Sequence, residues 1–272
     1  MVQANNYKVE NFDPEVLREY DIRGVVGENI NENTAYTIGR TFGHTVKSKL
    51  TSHTIVTGYD GRLTSPSLHK ALCEGLKDSG VKVINIGMGP TPMTYFAHYH
   101  FDADAAVMLT GSHNPSEYNG FKMVFNKHSF FAEDIQSLQK LLDNNELVLA
   151  DGQIIEKDIT KEYIERDLLN ISLNRKLKVA WDPGNGAMGK VTRKITEELI
   201  NSENIIINEE VDGNFPNHHP DPTVPKNMIQ LIQTVKENNC DIGLAFDGDG
   251  DRLGVIDNLG NIVWADQYML LL

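Results

Sequence analysis

The chain has 272 residues, of which 40% are hydrophobic, so it is long enough for about two domains with real cores. Its 25 basic and 38 acidic side chains give a formal net charge of −13, which argues against nonspecific nucleic-acid binding, since that needs a basic face. No apolar run approaches the ~20 residues of a membrane span, and we expect neither a signal peptide nor a membrane partner. The two cysteines, Cys73 and Cys240, form no motif, which favours a reducing cytoplasm over a disulfide framework.

In the first half of the chain, apolar strands alternate with amphipathic helices. The pattern predicts, in order, a strand at 53–61, a helix at 65–80, a strand at 81–87, a short helix at 91–100, a strand at 103–109, an edge or returning strand at 121–125 and a helix at 132–145. For the first helix, Ser65 is a candidate N-cap, Pro66 fits the first turn and Gly80 is the stop signal. This order predicts a mostly parallel sheet with right-handed crossovers.

A polar stretch at 144–160 is the candidate domain boundary, and after it the pattern restarts. We expect one domain at 1–150 and a second at 151–257. The second half is predicted to contain strands at 177–182, 204–208 and 240–246, helices at 190–200 and 225–239, a strand pair at 253–263 and a helical segment at 265–272. The turns "VTGYDGR", "VAWDPGNG" and "LAFDGDGDR" are similar, which indicates a duplicated α/β unit with mixed, mostly parallel sheets.

The strongest chemical signal is "DGDGDR", in which Asp247, Asp249 and Asp251 follow an apolar strand in a glycine-rich turn. Three adjacent carboxylates repel one another without a counter-ion, and together they can surround one hard divalent cation. An EF-hand fits poorly, since its glycine position would be Arg252 and its glutamate position Asn258. Three protein ligands would leave room for water or phosphate, as Mg²⁺ prefers, and Arg252 suits a bidentate phosphate contact.

A second signal is Ser112, which follows an apolar strand inside "MLTGSHNPSEYNGFKMV". The carboxyl end of a strand is where α/β proteins place their chemistry, although such a serine also fits an ordinary turn. Ser112 needs a base, a metal or an electropositive surrounding to react, and His113 and Lys122 are nearby candidates. In "NFPNHHPDP", the adjacent His218 and His219 point in different directions in most backbones, so we interpret this segment as a rigid loop.

The motifs "TGSHNPSEYNGFK", "DGDGDR", "EYDIRG" and "NFPNHHPDP", in their relative order, resemble the α-D-phosphohexomutase superfamily, specifically its phosphomannomutase/phosphoglucomutase branch. The resemblance covers the first two domains of a four-domain family and, at 258–272, the start of the third. It implies an intramolecular phosphotransferase (an isomerase) that interconverts the 1- and 6-phosphates of mannose or glucose. The family's later loops, which recognise the sugar and grip its distal phosphate, have no counterpart in this sequence, so we expect weak or no mutase activity from these 272 residues alone.

The resemblance also implies roles for individual residues. Ser112 matches the family's phosphoserine, and Asp247, Asp249 and Asp251 match its Mg²⁺ ligands, with a phosphoserine oxygen from Ser112 completing the set. Arg252 would stabilise charge on the transferred phosphoryl group. Further active-site positions match at Tyr20, Arg23, His113 and Lys122, of which Tyr20, Arg23 and Lys122 would also bind the phosphorylated hexose. Glucose 1,6-bisphosphate, or mannose 1,6-bisphosphate, would be the activator.

Two positions concern the support of the serine. Arg62 would hold the serine-bearing loop, whereas Tyr59 departs from the arginine that many relatives carry before Asp-Gly-Arg. Two other classes stay open on the residues themselves. A haloacid-dehalogenase-like phosphatase would use Asp247 as its nucleophile, and a noncatalytic fragment would bind phosphate or metal without turnover.

Overall fold

A computed structural model describes residues 6–270, and the chain forms two compact units, Met1–Ile159 and Thr160–Leu272. The division falls within the polar stretch 144–160 but later than the expected boundary after residue 150. The reason is a short strand at Gln153–Glu156, which pairs in parallel with Lys82–Met88 and so belongs to the sheet of unit 1. None of the helices within the described residues is long and apolar enough to cross a membrane.

Unit 1 is built on a seven-stranded sheet with the order β1-β5-β4-β2-β3-β7, and β6 pairs with β5. The strands are β1 (Ile22–Val25), β2 (Thr54–Tyr59), β3 (Lys82–Met88), β4 (Ala105–Leu109), β5 (Tyr118–Phe125), β6 (His128–Ser129) and β7 (Gln153–Glu156). Because β5 runs antiparallel to β1, β4 and β6 while the other pairs are parallel, β5 alone opposes the rest. The predicted mixed, mostly parallel sheet is confirmed. The predicted strand at 121–125 is a returning strand, and it is internal because β1 pairs along its other side.

Helices cover both faces of this sheet. They are α1 (Glu32–Lys49), α2 (Ser65–Lys77), α3 (Thr91–His100) and α4 (Glu133–Asp143). Buried side chains of α1, α2 and α4 share one hydrophobic cluster with the sheet, including Phe42, Leu72 and Leu138. On the other face, Thr94 of α3 contacts the Met108 sulfur at 3.3 Å. Unit 1 is therefore a three-layer α/β/α sandwich.

The helix α1 is not among the predicted elements, although its buried face carries Ile38, Phe42 and Val46 at helical spacing. That face carries threonines and glycines, and it packs closely on α2. A Cβ on Gly39 would lie 2.3 Å from the Leu72 carbonyl oxygen, and one on Gly75 would lie 2.2 Å from the Tyr36 carbonyl oxygen. Only glycine permits this backbone approach.

The start of α2 differs from the prediction. Thr64, not Ser65, precedes the helix as its N-cap residue, and it makes no side-chain capping bond. The Ser65 hydroxyl instead donates a 2.6 Å hydrogen bond to Asp60. The helix ends at Lys77, and Gly80 follows with φ of +83°, a left-handed conformation that glycine adopts at no steric cost.

Unit 2 repeats the layered arrangement on a smaller sheet with the order β12-β11-β10-β8-β9. Its elements are α5 (Thr160–Asp167), β8 (Leu177–Asp182), α6 (Met188–Glu198), β9 (Ser202–Ile206), a 3₁₀ turn (Pro225–Met228), α7 (Ile229–Asn238), β10 (Ile242–Phe246), β11 (Leu253–Asp257), β12 (Ile262–Val263) and α8 (Ala265–Tyr268). Only β11 runs against the other strands. Leu231 and Val235 of α7 pack on Ala180 and Ala245, while Trp181, on the opposite sheet face, is also buried.

The end of the chain is grouped with unit 2, because β12 pairs with β11. The start of a third domain at 258–272 stays a prediction. The predicted terminal helix is present at Ala265–Tyr268, and its last two predicted residues, 271 and 272, lie outside the described residues.

Candidate functional site

The serine loop (residues 110–118) connects β4 to β5 at the carboxyl end of β4. Ser112 has φ of +51°, a conformation that non-glycine residues rarely adopt, and only 3% of its surface is exposed. Its backbone N–H donates to the Thr110 hydroxyl at 2.7 Å, and its own Oγ lies 3.2 Å from Nδ1 of His113. Strained, over-determined backbone of this kind is common at functional sites.

The guanidinium of Arg62 holds this loop in place. Its Nη2 donates to the carbonyl oxygens of Ser112 and Asn114 at 2.8 and 2.7 Å, and its Nη1 to those of Pro115 and Tyr118 at 2.5 and 3.0 Å. The remaining Nε donates to Asp60 at 3.1 Å, so all five N–H groups of a buried arginine are used. This contact fits the predicted supporting role of Arg62.

Asp60 connects the loop after β2 to the serine loop. Besides Arg62 and Ser65, its carboxylate accepts hydrogen bonds from the Thr110 hydroxyl at 2.8 Å and the Gly111 N–H at 3.2 Å. Gly111 is required here, since a Cβ would lie 2.4 Å from the Arg62 guanidinium carbon. The Ser112 backbone is therefore fixed before any ligand arrives.

The structure places two of the predicted basic residues on one face of the unit 1 sheet. Arg23 of β1 lies opposite Gly120 of β5, and Lys122 lies two residues further along β5, so both side chains leave the same face. Arg23 also forms an ion pair with Asp21. Tyr20, before β1, is 75% exposed, which leaves its ring accessible to a ligand.

The acidic loop (residues 247–252) follows β10 in unit 2. Asp247, Asp249 and Asp251 each offer an oxygen within 4.8 Å of the others, and the first two are fully buried while the third is exposed. Gly250 has φ of +73°, which allows the chain to bend back, and Asp247 accepts hydrogen bonds from the N–H groups of Asp251 and Arg252, both at 3.0 Å. The predicted cluster is thus formed by one short loop.

The electrostatics of this loop favour a cation. Burial, and then the charges of Asp249 and Asp251, raise the pKa of Asp247 to about 8. A hard divalent cation would offset this repulsion, and three carboxylate oxygens leave further coordination positions open for water or a phosphate oxygen. The donor set therefore fits Mg²⁺.

The proline loop (residues 214–222) lies beside the acidic loop within unit 2. Asp221 approaches the Arg252 guanidinium to 3.6 Å, and a Cβ on Gly254 would lie 2.6 Å from Pro222. His218 Nε2 lies 2.9 Å from a carboxylate oxygen of Asp182 at the end of β8. Although burial disfavours its charged form, the hydrogen bond and charge of Asp182 raise the pKa of His218 above its ordinary value.

Asp182 and Asp221 are partners that the motifs alone do not identify. Asp182 also accepts hydrogen bonds from the Gly184 N–H at 2.9 Å and the Asn208 side chain at 3.0 Å. A signal for Asp182 exists in the three similar turns, since Asp60, Asp182 and Asp247 occupy equivalent places at a strand end and all three are buried. No comparable signal precedes Asp221, whose contact with Arg252 depends on the path of the proline loop.

Comparison with known proteins covers most of the chain. The family model "Phosphoglucomutase/phosphomannomutase, alpha/beta/alpha domain I" matches residues 14–148, and "alpha/beta/alpha domain II" of the same family matches residues 161–260. A phosphomannomutase/phosphoglucomutase of Pseudomonas putida is 47% identical over 256 residues, which are 94% of this chain and 55% of the relative. A phosphoglucomutase of Neisseria meningitidis is 43% identical over 263 residues, with 96% and 57% coverage.

A solved structure agrees with this. The crystal structure of a phosphoglucomutase/phosphomannomutase family protein from Burkholderia thailandensis has a TM-score of 0.90 and 38% identity, and it covers 96% of this chain and 58% of that one. The chain spans about half the length of the curated relatives it matches. The matched models, the serine and acidic loops and the two mixed α/β sheets together identify this chain as a member of the phosphoglucomutase/phosphomannomutase family of the α-D-phosphohexomutase superfamily.

Proposed function

We propose that the protein containing this chain is a phosphohexomutase that interconverts the 1- and 6-phosphates of mannose or glucose, with Ser112 as the phosphoryl carrier. The observation that carries the proposal is the Arg62 contact. A buried arginine uses four of its five N–H donors on the carbonyls of the serine loop and fixes Ser112 in a strained backbone conformation. That degree of preorganisation is expected of a reacting group, since catalysis of phosphoryl transfer consists largely of positioning and charge stabilisation.

Other residues of the two units have the chemistry that this reaction needs. His113 Nδ1 lies 3.2 Å from Ser112 Oγ, within reach for exchanging the hydroxyl proton as the phosphoryl group arrives or leaves. Arg23 and Lys122 lie on one sheet face and would attract the anionic phosphate of a hexose, with Tyr20 contributing an exposed ring to substrate binding. Arg252 would neutralise phosphate charge with a guanidinium that remains 37% exposed.

Asp247, Asp249 and Asp251 would hold Mg²⁺, which when bound supplies positive charge to stabilise the phosphoryl oxygens. A phosphoserine oxygen of Ser112 as an additional ligand is supported by family membership alone. In the proposed cycle, phosphorylated Ser112 gives its phosphoryl group to a hexose monophosphate hydroxyl, and a hexose 1,6-bisphosphate forms. When the other phosphate returns to Ser112, the isomeric monophosphate leaves. Glucose or mannose 1,6-bisphosphate would therefore restore a dephosphorylated enzyme.

The test is phosphoryl acceptance by Ser112 from glucose 1,6-bisphosphate in the presence of Mg²⁺, followed as gain of protein-bound phosphate. Ser116, an exposed serine in the same loop, provides the matched control. We expect Ser112→Ala to abolish phosphate incorporation and Ser116→Ala to retain it. Equal incorporation in wild type and Ser112→Ala would refute the assignment of Ser112. Incorporation on Asp247 would instead support the haloacid-dehalogenase-like alternative.

A further inference from the structure

Unit 1 contains a cavity that the proposed reaction does not use. Its volume is about 340 Å³, within the usual range of small-molecule pockets. It lies between the segment preceding α1, the α1 residue Arg40 and the chain that ends α4 and follows it. The lining residues are Val9, Glu10, Asn11, Arg40, Leu141, Leu142, Asn145 and Leu147.

Arg40 is the unusual member of this cavity. The residue is only 7% exposed, and its Nε is buried with no acceptor within hydrogen-bond distance in the part of the chain that the structure describes. Its Nη1 makes one long hydrogen bond, of 3.4 Å, to the Tyr36 hydroxyl, which itself donates to Asp78 at 2.8 Å. The contrast with Arg62, whose five donors all have acceptors, is direct. A buried guanidinium with spare donors is costly unless an anion completes it.

A carboxylate lines the same cavity but does not form a pair with this arginine. Glu10 is half-buried, and its carboxylate accepts a 2.9 Å hydrogen bond from the Thr34 hydroxyl, while its N–H donates to Thr37 at 3.0 Å. Within the described residues Arg40 makes no ion pair, and its hydrogen-bonded link to a carboxylate runs through the Tyr36 hydroxyl to Asp78. The cavity thus presents one positive and one negative group that are separated from each other.

The rest of the wall is largely aliphatic. Val9, Leu141, Leu142 and Leu147 line it, and the three leucines are half-buried. A ligand that fits must bring a carboxylate to Arg40, a cation to Glu10 and an apolar body to the leucines. A simple anion would satisfy Arg40 but would be repelled by Glu10.

We propose that this cavity binds a small aliphatic zwitterion, of the chemical class of a free aliphatic α-amino acid. The carboxylate would accept hydrogen bonds from the terminal Nη groups of Arg40, the ammonium would pair with Glu10, and the side chain would contact Leu141, Leu142 and Leu147. The proposal is independent of the role of Ser112, so the failure of one leaves the other standing.

Calorimetric titration of the chain with L-leucine tests the proposal, using two analogues that each lack one charge. They are 4-methylpentanoate, which has no ammonium group, and 3-methylbutylamine, which has no carboxylate. We expect saturable binding of leucine and binding of each analogue weaker by about tenfold or more, because a hydrogen bond to a charged group is lost. No saturable binding up to the solubility limit of leucine, or 4-methylpentanoate binding as tightly as leucine, would overturn the proposal.

Three variants localise the binding. Arg40→Met should weaken leucine binding about tenfold or more. Lys49→Met, which removes an exposed positive charge from the same helix, should leave the affinity for leucine unchanged. Equal losses in both variants would indicate nonspecific attraction and contradict the site. Because Arg40→Met alters a buried residue and could unfold unit 1, Glu10→Gln, at a half-buried position, provides a second test of the site. This variant should bind leucine more weakly and 4-methylpentanoate more tightly than wild type does. An unchanged ratio of the two affinities would contradict the pairing of the ammonium group with Glu10.

Discussion

Substituting Arg62 by methionine should both destabilise unit 1 and release the serine loop. The side chains of Arg62 and Asp60 are 0% and 1% exposed, so methionine would leave a carboxylate in a buried site without its counter-ion. Breaking a buried ion pair from one side typically costs about 3–5 kcal/mol. Four loop carbonyls would lose their donor in the same change. Because these losses are coupled to the loss of the ion pair with Asp60, we expect the free energy of unfolding to fall by about 3–5 kcal/mol in total. Arg62→Lys keeps the charge but cannot serve carbonyls in several directions, and its cost should be smaller.

Urea unfolding followed by far-UV circular dichroism measures the stability, and hydrogen exchange of peptides from the serine and acidic loops measures local opening. Exchange should rise in the serine loop of Arg62→Met and stay unchanged in the acidic loop. Arg193→Met is the matched control, since its ion pair with Glu209 is half-exposed and should contribute only about 0–1 kcal/mol. If Arg62→Met lowers the free energy of unfolding no more than Arg193→Met does, and hydrogen exchange in the serine loop is the same as in wild type, the reasoning about the Arg62 contact is wrong.

The other predictions concern metal, pH and phosphate. Asp249→Asn should weaken Mg²⁺ binding in a calorimetric titration without unfolding the chain, and full retained affinity would contradict the proposed ligand set. The pKa of Asp247 is about 8 in the folded chain against an ordinary 3.8, so protonation of this carboxyl contributes fully to the free energy of unfolding below pH 3.8, and the contribution is lost as pH rises to about 8. Without metal, Asp247→Asn should therefore be more stable than wild type at pH 8, as measured by urea unfolding. Asp182→Asn should lower the pKa of His218 in an NMR titration, and an unchanged pKa would contradict their pairing. Phosphorylation of Ser112 should strengthen Mg²⁺ binding, and equal affinity with and without phosphate would exclude direct coordination.

Much of the fold follows from local patterns in the sequence. The strands β2, β3, β4, β8 and β10 are short apolar runs that end in polar turns, and α2 and α7 keep helical spacing of apolar residues. The acidic loop is equally local, because its three carboxylates lie within five consecutive residues. For the same reason, the motif predicts the cluster without knowledge of the rest of the chain.

Other features depend on contacts that are distant in sequence. The close packing of α1 on α2 depends on Gly39 and Gly75, which are distant in sequence, so no local pattern predicts that contact. The local sequence predicts Ser65 as an N-cap, but its hydroxyl donates a hydrogen bond to Asp60 instead. Arg62 donates hydrogen bonds to Asp60 and to carbonyls of the serine loop, which lies about 50 residues further along the chain. No pattern in the sequence around Arg62 predicts these contacts.

The central claim is that Ser112 carries phosphate in transfer chemistry, and locating the phosphate tests it most directly. The protein containing this chain would be incubated with glucose 1,6-bisphosphate and Mg²⁺, digested, and analysed by fragmentation mass spectrometry that distinguishes Ser112 from Ser116 and from the aspartates of the acidic loop. We predict phosphate on Ser112, at a level that falls when Mg²⁺ is removed and in Arg62→Met. Phosphate on Asp247, or on Ser116 with Ser112 unmodified, would contradict the account.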